Sequence, residues 1–136
     1  MEIRRELIKI GAKIVAPCTH ERECMLPRGE WCHATCRIAR TKLHKQLKSG
    51  VAPYEDEKFS YMAFSKVACK KTEIRVLRHP KIEPGKITLD ICTESNIRKL
   101  IVTKKDKQSF KIARKIKCGD GCTYNELGIK EEKKNG

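Results

Sequence analysis

The sequence predicts an α/β domain with a cysteine-rich metal loop and an antiparallel strand pair. Segments with helical spacing of apolar residues alternate with segments that read as strands. Four of the eight cysteines fall between Cys18 and Cys36. Two strand-like segments, Lys86 to Cys92 and Ile97 to Thr103, are joined by only Thr93-Glu94-Ser95-Asn96. A chain of 136 residues suits one domain, and 39 % apolar against 35 % charged residues allows a modest core beneath a charged surface.

From the N-terminus, Ile3, Leu7 and Ile10 lie at helical spacing over Glu2 to Ile10, and Gly11 is a natural C-cap. Lys13-Ile14-Val15-Ala16 reads as a short strand leading into the first cysteine. A helix then a strand, with no strand before them, is an abrupt start for an α/β domain, so part of a larger sheet is expected elsewhere. Trp31 to Lys48 predicts the clearest helix. Cys32, Cys36, Ala39, Leu43 and Leu47 form its apolar stripe, Arg37, Arg40, His44, Lys45 and Lys48 its polar flanks, and Ser49-Gly50 its end.

Val51 to Glu57 reads as an acidic loop, the one concentration of negative charge. Lys58 to Val67 alternates as a strand with Phe59, Tyr61, Ala63 and Ser65 on one side, and Glu73 to Leu77 is another strand. Glu83-Pro84-Gly85-Lys86 has Pro and Gly where a type II turn wants them. Asp106 is an N-cap for a helix over Lys107 to Lys117. Its Phe110, Ala113 and Ile116 face the core, while Lys107, Lys111, Arg114, Lys115 and Lys117 form a basic surface. Residues 1–122 are expected to be ordered and 123–136 to form a disordered basic tail.

The formal net charge of +14 favours a polyanionic partner, and nucleic acid is the commonest. The seven aromatics Trp31, Tyr54, Phe59, Tyr61, Phe64, Phe110 and Tyr124 neither line an amphipathic membrane face nor form a stacking platform for bases. Phosphate contacts by Lys and Arg are therefore expected to dominate. No apolar run reaches the roughly 20 residues a transmembrane helix needs, so no membrane partner is expected.

The cysteines are Cys18, Cys24, Cys32, Cys36, Cys69, Cys92, Cys118 and Cys122. No signal peptide supports a disulfide framework, so the clustering points to metal. Cys18, Cys24 and Cys32, with Pro17, Pro27 and Gly29 among them, suit a loop wrapped round a soft ion. The gaps do not match paired zinc knuckles, and spacing alone does not choose between zinc and an iron–sulfur cluster. Cys36 reads as a core residue and Cys69 as an inert thiol. Cys118 and Cys122 flank the turn Gly119-Asp120-Gly121, either as loop cysteines after a helix or as a second metal site. There is no dinucleotide glycine fingerprint, no phosphate-binding P-loop and no H-E-x-x-H. A self-contained enzyme is not expected.

Longer motifs carry a resemblance. Ala16-Pro17-Cys18-Thr19-His20, Cys24-Met25-Leu26-Pro27, Trp31-Cys32-His33, Leu43-His44 and Tyr54-Glu55-Asp56-Glu57-Lys58-Phe59-Ser60-Tyr61 occur in order. Arg78-His79-Pro80, Asp90-Ile91-Cys92-Thr93, Val102-Thr103-Lys104 and Ala113-Arg114-Lys115 with Gly119-Asp120 continue the series. The series resembles the mitochondrial small-ribosomal-subunit methyltransferase-like family, which has bacterial members, over roughly residues 1–122.

The resemblance implies the C-terminal part of a class I methyltransferase-like (Rossmann-like) fold. It also implies a [4Fe-4S] cluster held by Cys18, Cys24, Cys32 and Cys92, stapling the loop onto the last strand of the Asp-x-Cys motif. The S-adenosylmethionine loop of the family's preceding half has no counterpart here. The family's aromatic after Trp-Cys-His is Ala34, and the tryptophans usual around Gly-Asp are Cys118 and Cys122.

The expected function is an iron–sulfur-binding, ribosomal-RNA-contacting factor for assembly or function of the small ribosomal subunit. Its RNA contacts would be Arg37, Arg40, His44, Lys45, Lys48, Lys111, Arg114 and Lys115. Alternatives are an RNA methyltransferase half-chain completed by a separate N-terminal half, a zinc-binding RNA module, and a decayed gene product. The absence of an Arg-rich presequence favours a bacterial cytoplasm, with the mitochondrial matrix expected in a eukaryote.

Overall fold

The computed structural model describes residues 2–48 and 50–130. In order the elements are α1 (Glu2–Lys9), β1 (Lys13–Ala16), β2 (Ala34–Ala39), α2 (Lys42–Leu47), β3 (Tyr54–Phe59), β4 (Ala63–Ser65), β5 (Ile74–Val76), β6 (Lys81–Glu83), β7 (Lys86–Cys92), β8 (Ile97–Thr103), α3 (Lys107–Ala113) and β9 (Gly121–Cys122). Helix and sheet are mixed, as expected, and every ladder among the described residues is antiparallel.

Strand β7 organises the largest sheet. One edge pairs with β8 from Lys86↔Thr103 to Cys92↔Ile97, the antiparallel pair foreseen in the sequence. The other edge takes β6 at its start and β5 at its end, and β9 continues outward from β5. Gly85, at φ +82°, makes the turn between β6 and β7 that Pro84-Gly85 predicts. The β7–β8 turn is ordered by Thr93, fully buried, whose Oγ1 accepts from the Asn96 amide at 3.1 Å.

Alternation along β7 gives the sheet two different faces. Ile87, Leu89 and Ile91 are fully buried and meet Ile74, Val76, Val102, Ala113 and Ile116 in the core. Asp106 caps α3 as expected, its carboxylate accepting from the amides of Gln108 and Ser109 at 3.1 and 3.0 Å. The helix is shorter than the sequence suggests, ending at Ala113, yet Ile116 beyond it still reaches the core. Leu89→Ala would leave a cavity beneath α3 with nothing able to collapse into it. A loss of about 2–5 kcal/mol is expected in urea unfolding.

Residues 124–129, expected to belong to a disordered tail, pack against the core instead. Leu127 is 4 % exposed and Tyr124 and Ile129 pack against the core, so burial orders the chain after residue 123. The rest of the expected tail, 131–136, lies outside the described residues.

The largest correction concerns residues 31–48, expected to form one helix. Residues 34–39 form strand β2, and α2 begins only after Thr41, whose hydroxyl accepts from the His44 amide at 3.2 Å. The expected acidic loop is not a loop: most of it is strand β3, paired with β2 in the register Cys36↔Glu57, Arg37↔Asp56 and Ile38↔Glu55. The helical stripe was misleading because β-branched Thr35 and Ile38 suit a strand, and opposite charges face each other across the ladder. The stripe is not a core face either: Cys36 is exposed, and Leu43 and Leu47 are 63 % and 77 % exposed. The expected strand 58–67 divides between the end of β3 and β4, which pairs with β1.

Helix α1 matches expectation in extent, with Gly11 at φ +92° just beyond its end. Its packing does not follow the apolar stripe. Ile3 and Ile10 are exposed, and Arg4 is the buried residue.

Candidate metal and RNA-binding sites

Cys18 and Cys24 lie in the long loop after β1, Cys32 just before β2, and Cys92 ends β7. Three side chains fasten the loop, Arg4 to α1 and Arg75 and Thr19 to the sheet. Arg4 donates through Nη2 to the carbonyls of His20 at 3.1 Å and Arg22 at 2.7 Å, tying α1 to the loop. Arg75 donates through Nε to the Pro17 carbonyl and through Nη1 to the Gly119 carbonyl, both at 2.7 Å. Thr19 Oγ1 lies 3.9 Å from Cys92 Sγ.

These contacts bring Pro17 and Thr19, on either side of Cys18, to Arg75 and Cys92 on the sheet. Burial first, then charge on Cys18 and on Cys92, pushes the Cys32 thiol up to about 11. Burial likewise raises the Cys92 thiol, and Cys18 and Cys24 add to that effect after the opposing hydrogen bond from Thr19. Protonated thiols at this spacing must lose protons to bind metal, which makes binding proton-coupled.

The donor set is all sulfur, which suits a thiophilic ion or an iron–sulfur cluster. Among the described residues no three Cys, His, Asp or Glu side chains already stand at the spacing of a single bound ion.

The other cysteines separate clearly. Cys36 sits exposed on β2, outside the core to which its spacing assigned it. Cys69 is half-buried, its thiol 3.7 Å from the Ile14 carbonyl. Cys118 is buried and donates to the carbonyls of His33 and Leu77 at 3.3 and 3.4 Å. Cys122 lies in the core, and burial pushes its thiol up to about 11. His20 and His33 are 6 % and 8 % exposed, and neither Nδ1 has a hydrogen-bond partner. Burial holds both imidazoles below their ordinary range and hence neutral near pH 7.

The basic residues form two surfaces of different character. Arg37 lies on β2, Arg40 just after it, His44 and Lys45 on α2, and Lys48 at its end. Arg37 meets Asp56 through two hydrogen bonds of 2.7 and 2.9 Å, and its guanidinium carbon sits 4.1 Å from the Tyr54 ring centre. Glu55 receives Arg40, His44 and Lys48, each at 3.1 Å. Four of the five side chains expected to serve RNA here are engaged by two carboxylates of the neighbouring strand. These partners hold the Glu55 and Asp56 carboxyls below their usual range, and the largest cause in each case is the hydrogen bond from Lys48 or Arg37.

The second surface lacks such pairs among the described residues. Lys104, Lys105, Lys107, Lys111, Arg114, Lys115 and Lys117 are all exposed, and among the described residues none is ion-paired. The one acid within this run, Asp106, is committed to the α3 cap and to the Ser109 hydroxyl at 2.6 Å.

Arg4 and Arg75 escaped the sequence analysis. Each is a basic residue in a highly basic chain, and only burial distinguishes it from a surface cation. The acidic run at 55–57 was visible, and its proximity to Arg37 in a hairpin was the available signal.

No helix among the described residues is long and apolar enough to cross a membrane. No curated protein matches the chain. A family model described as mitochondrial small ribosomal subunit Rsm22 matches residues 1–123, the stretch that holds all four candidate cysteine ligands and the α3 basic surface. The chain therefore belongs to the Rsm22 family of the mitochondrial small ribosomal subunit.

Proposed function

We propose that the chain binds an iron–sulfur cluster, [4Fe-4S] in type, through Cys18, Cys24, Cys32 and Cys92, and contacts ribosomal RNA in the small subunit, in its assembly or in translation. The observation that supports the metal reading is that the residues on either side of Cys18 are held beside Cys92, Thr19 Oγ1 at 3.9 Å from its thiol and the Pro17 carbonyl by Arg75, the cross-strand partner of Cys92. The cluster would supply a covalent cross-brace between loop and sheet. Arg4, Arg75 and Thr19 hold the loop backbone in register for it.

The RNA reading rests on the uncompensated α3 surface, the net charge of +14 and the family's description. Arg37, Arg40, His44, Lys45 and Lys48 would contribute less to RNA affinity, because most already have carboxylate partners. The wider methyltransferase-like architecture, of which this chain would be the C-terminal part, belongs to the same proposal. So do a separate N-terminal half that would complete an RNA methyltransferase and the mitochondrial matrix as compartment. S-adenosylmethionine binding by this chain alone is not proposed.

A specific observation favours zinc as the second reading. His20 and His33 are neutral, buried and unpartnered at Nδ1, and they stand beside Cys18 and Cys32 in sequence. Imidazole nitrogen is a donor that zinc takes readily. Iron, acid-labile sulfide and zinc analysis after anaerobic purification separates the two. Iron and sulfide in equal stoichiometric amounts are expected; stoichiometric zinc without sulfide would replace the cluster with the zinc module.

A further inference from the structure

We infer that Arg75 is the fixed counter-charge of the metal–thiolate centre, a positioning residue that stabilises the added electron when the centre is reduced. This rests on the iron–sulfur reading above.

Arg75 is 8 % exposed on β5, in the middle of the sheet between β7 and β9. Its neighbours Ile74 and Val76 point into the hydrophobic core, so its own side chain lies on the opposite face. Cys92 is its direct partner across the β5–β7 ladder, and cross-strand partners project on the same side. The guanidinium is pinned between the Pro17 carbonyl, adjacent to Cys18, and the Gly119 carbonyl.

Among the described residues no carboxylate forms an ion pair with Arg75. Carbonyl dipoles satisfy its hydrogen bonds but leave its net charge uncompensated. A buried cation in that condition is costly unless an anion stands nearby. Thiolates bound to iron would supply the missing anion, and a guanidinium held by two carbonyls cannot swing away to solvent.

Reduction by one electron from a chemical titrant such as dithionite adds one negative charge to an already anionic centre. A fixed positive charge nearby favours that product. At an effective dielectric near 20, a unit charge about 12 Å from the added electron changes such an equilibrium by about tenfold, and a closer one by more.

The test is a spectroscopic redox titration of the full chain carrying its cluster, comparing wild type with Arg75→Gln and Arg75→Lys. Gln keeps a donor for one carbonyl but removes the charge. Its reduced-to-oxidised ratio at a fixed ambient potential is expected to fall about tenfold, or about 59 mV for a one-electron couple. Lys restores the charge without the two-carbonyl bridge, so its ratio should stay near wild type while its melting temperature falls.

A cluster-bearing Arg75→Gln protein with an unchanged ratio overturns the inference and leaves the iron–sulfur reading intact. If Arg75→Gln does not accumulate, Arg75→Lys decides. A Lys ratio that falls as far as expected for Gln would mean that backbone bridging, not charge, sets the potential. Wild-type protein with no iron and sulfide removes both the reading and the inference.

Discussion

Cys92→Ser is expected to abolish stoichiometric iron and sulfide retention, while Cys36→Ser and Cys69→Ser leave it unchanged. Cys92 ends a core strand whose neighbouring ladders fix its position, and it is the one candidate ligand outside the loop. A serine hydroxyl there is a poor ligand for soft iron, and three remaining thiolates would leave an open coordination site. Loss of the centre would also free the loop from the sheet. Proteolysis within residues 18–32 should therefore accelerate in Cys92→Ser and hardly change in the other two variants. Cys36 is exposed on β2 and Cys69 bonds to the Ile14 carbonyl, so neither substitution should reach the centre. Metal analysis with limited proteolysis checks all three variants together, and full iron in Cys92→Ser would remove Cys92 from the ligand set.

The second large effect is expected on RNA. Replacing Lys111, Arg114 and Lys115 together by Gln removes three exposed cations, none of them ion-paired among the described residues. If each neutralises one phosphate, the slope of log affinity against log salt should become shallower by about 2–3. Affinity near 0.15 M salt should fall by about one to two orders of magnitude. The paired variant Arg37→Gln/Arg40→Gln should lose much less. Those side chains must first give up Asp56 and Glu55, so releasing them to phosphate exchanges one anion for another. Filter binding to small-subunit ribosomal RNA across a salt series measures both. Equal losses in the two variants would show that the hairpin opens to meet RNA.

Acid should expose the difference between the surfaces. The Glu55 and Asp56 carboxyls are held below their ordinary range, so their ion pairs persist through neutral pH. The pairs are lost only as pH falls through those lowered values. Below that point Arg37, Arg40 and Lys48 are released, and the hairpin should gain affinity for RNA relative to α3.

Much of the large sheet could be read directly. The alternation in β7, the short link to β8, the Pro84-Gly85 turn and the Asp106 cap are local signals, complete within a few residues. The same holds for the net charge and the clustered cysteines, and the ordered motifs from Ala16-Pro17-Cys18 onward were enough to point to the family that matches residues 1–123. Residues 31–48 were misread because an apolar repeat compatible with a helix can equally be a strand once a partner is available. That partner, β3, lies about twenty positions away, in a segment whose run of acids reads as a loop.

Tertiary structure decided which charges are free and which are spent. Arg37 and Lys111 are equivalent in a count of cations, yet one is clasped by Asp56 and the other projects into solvent. Arg4 and Arg75 are equally basic but buried, one closing the cysteine loop and the other standing across the ladder from Cys92. Periodicity is set by neighbours along the chain and is visible in the sequence. Neutralisation and burial are set by neighbours in space, and for this protein those come from strands paired across tens of residues.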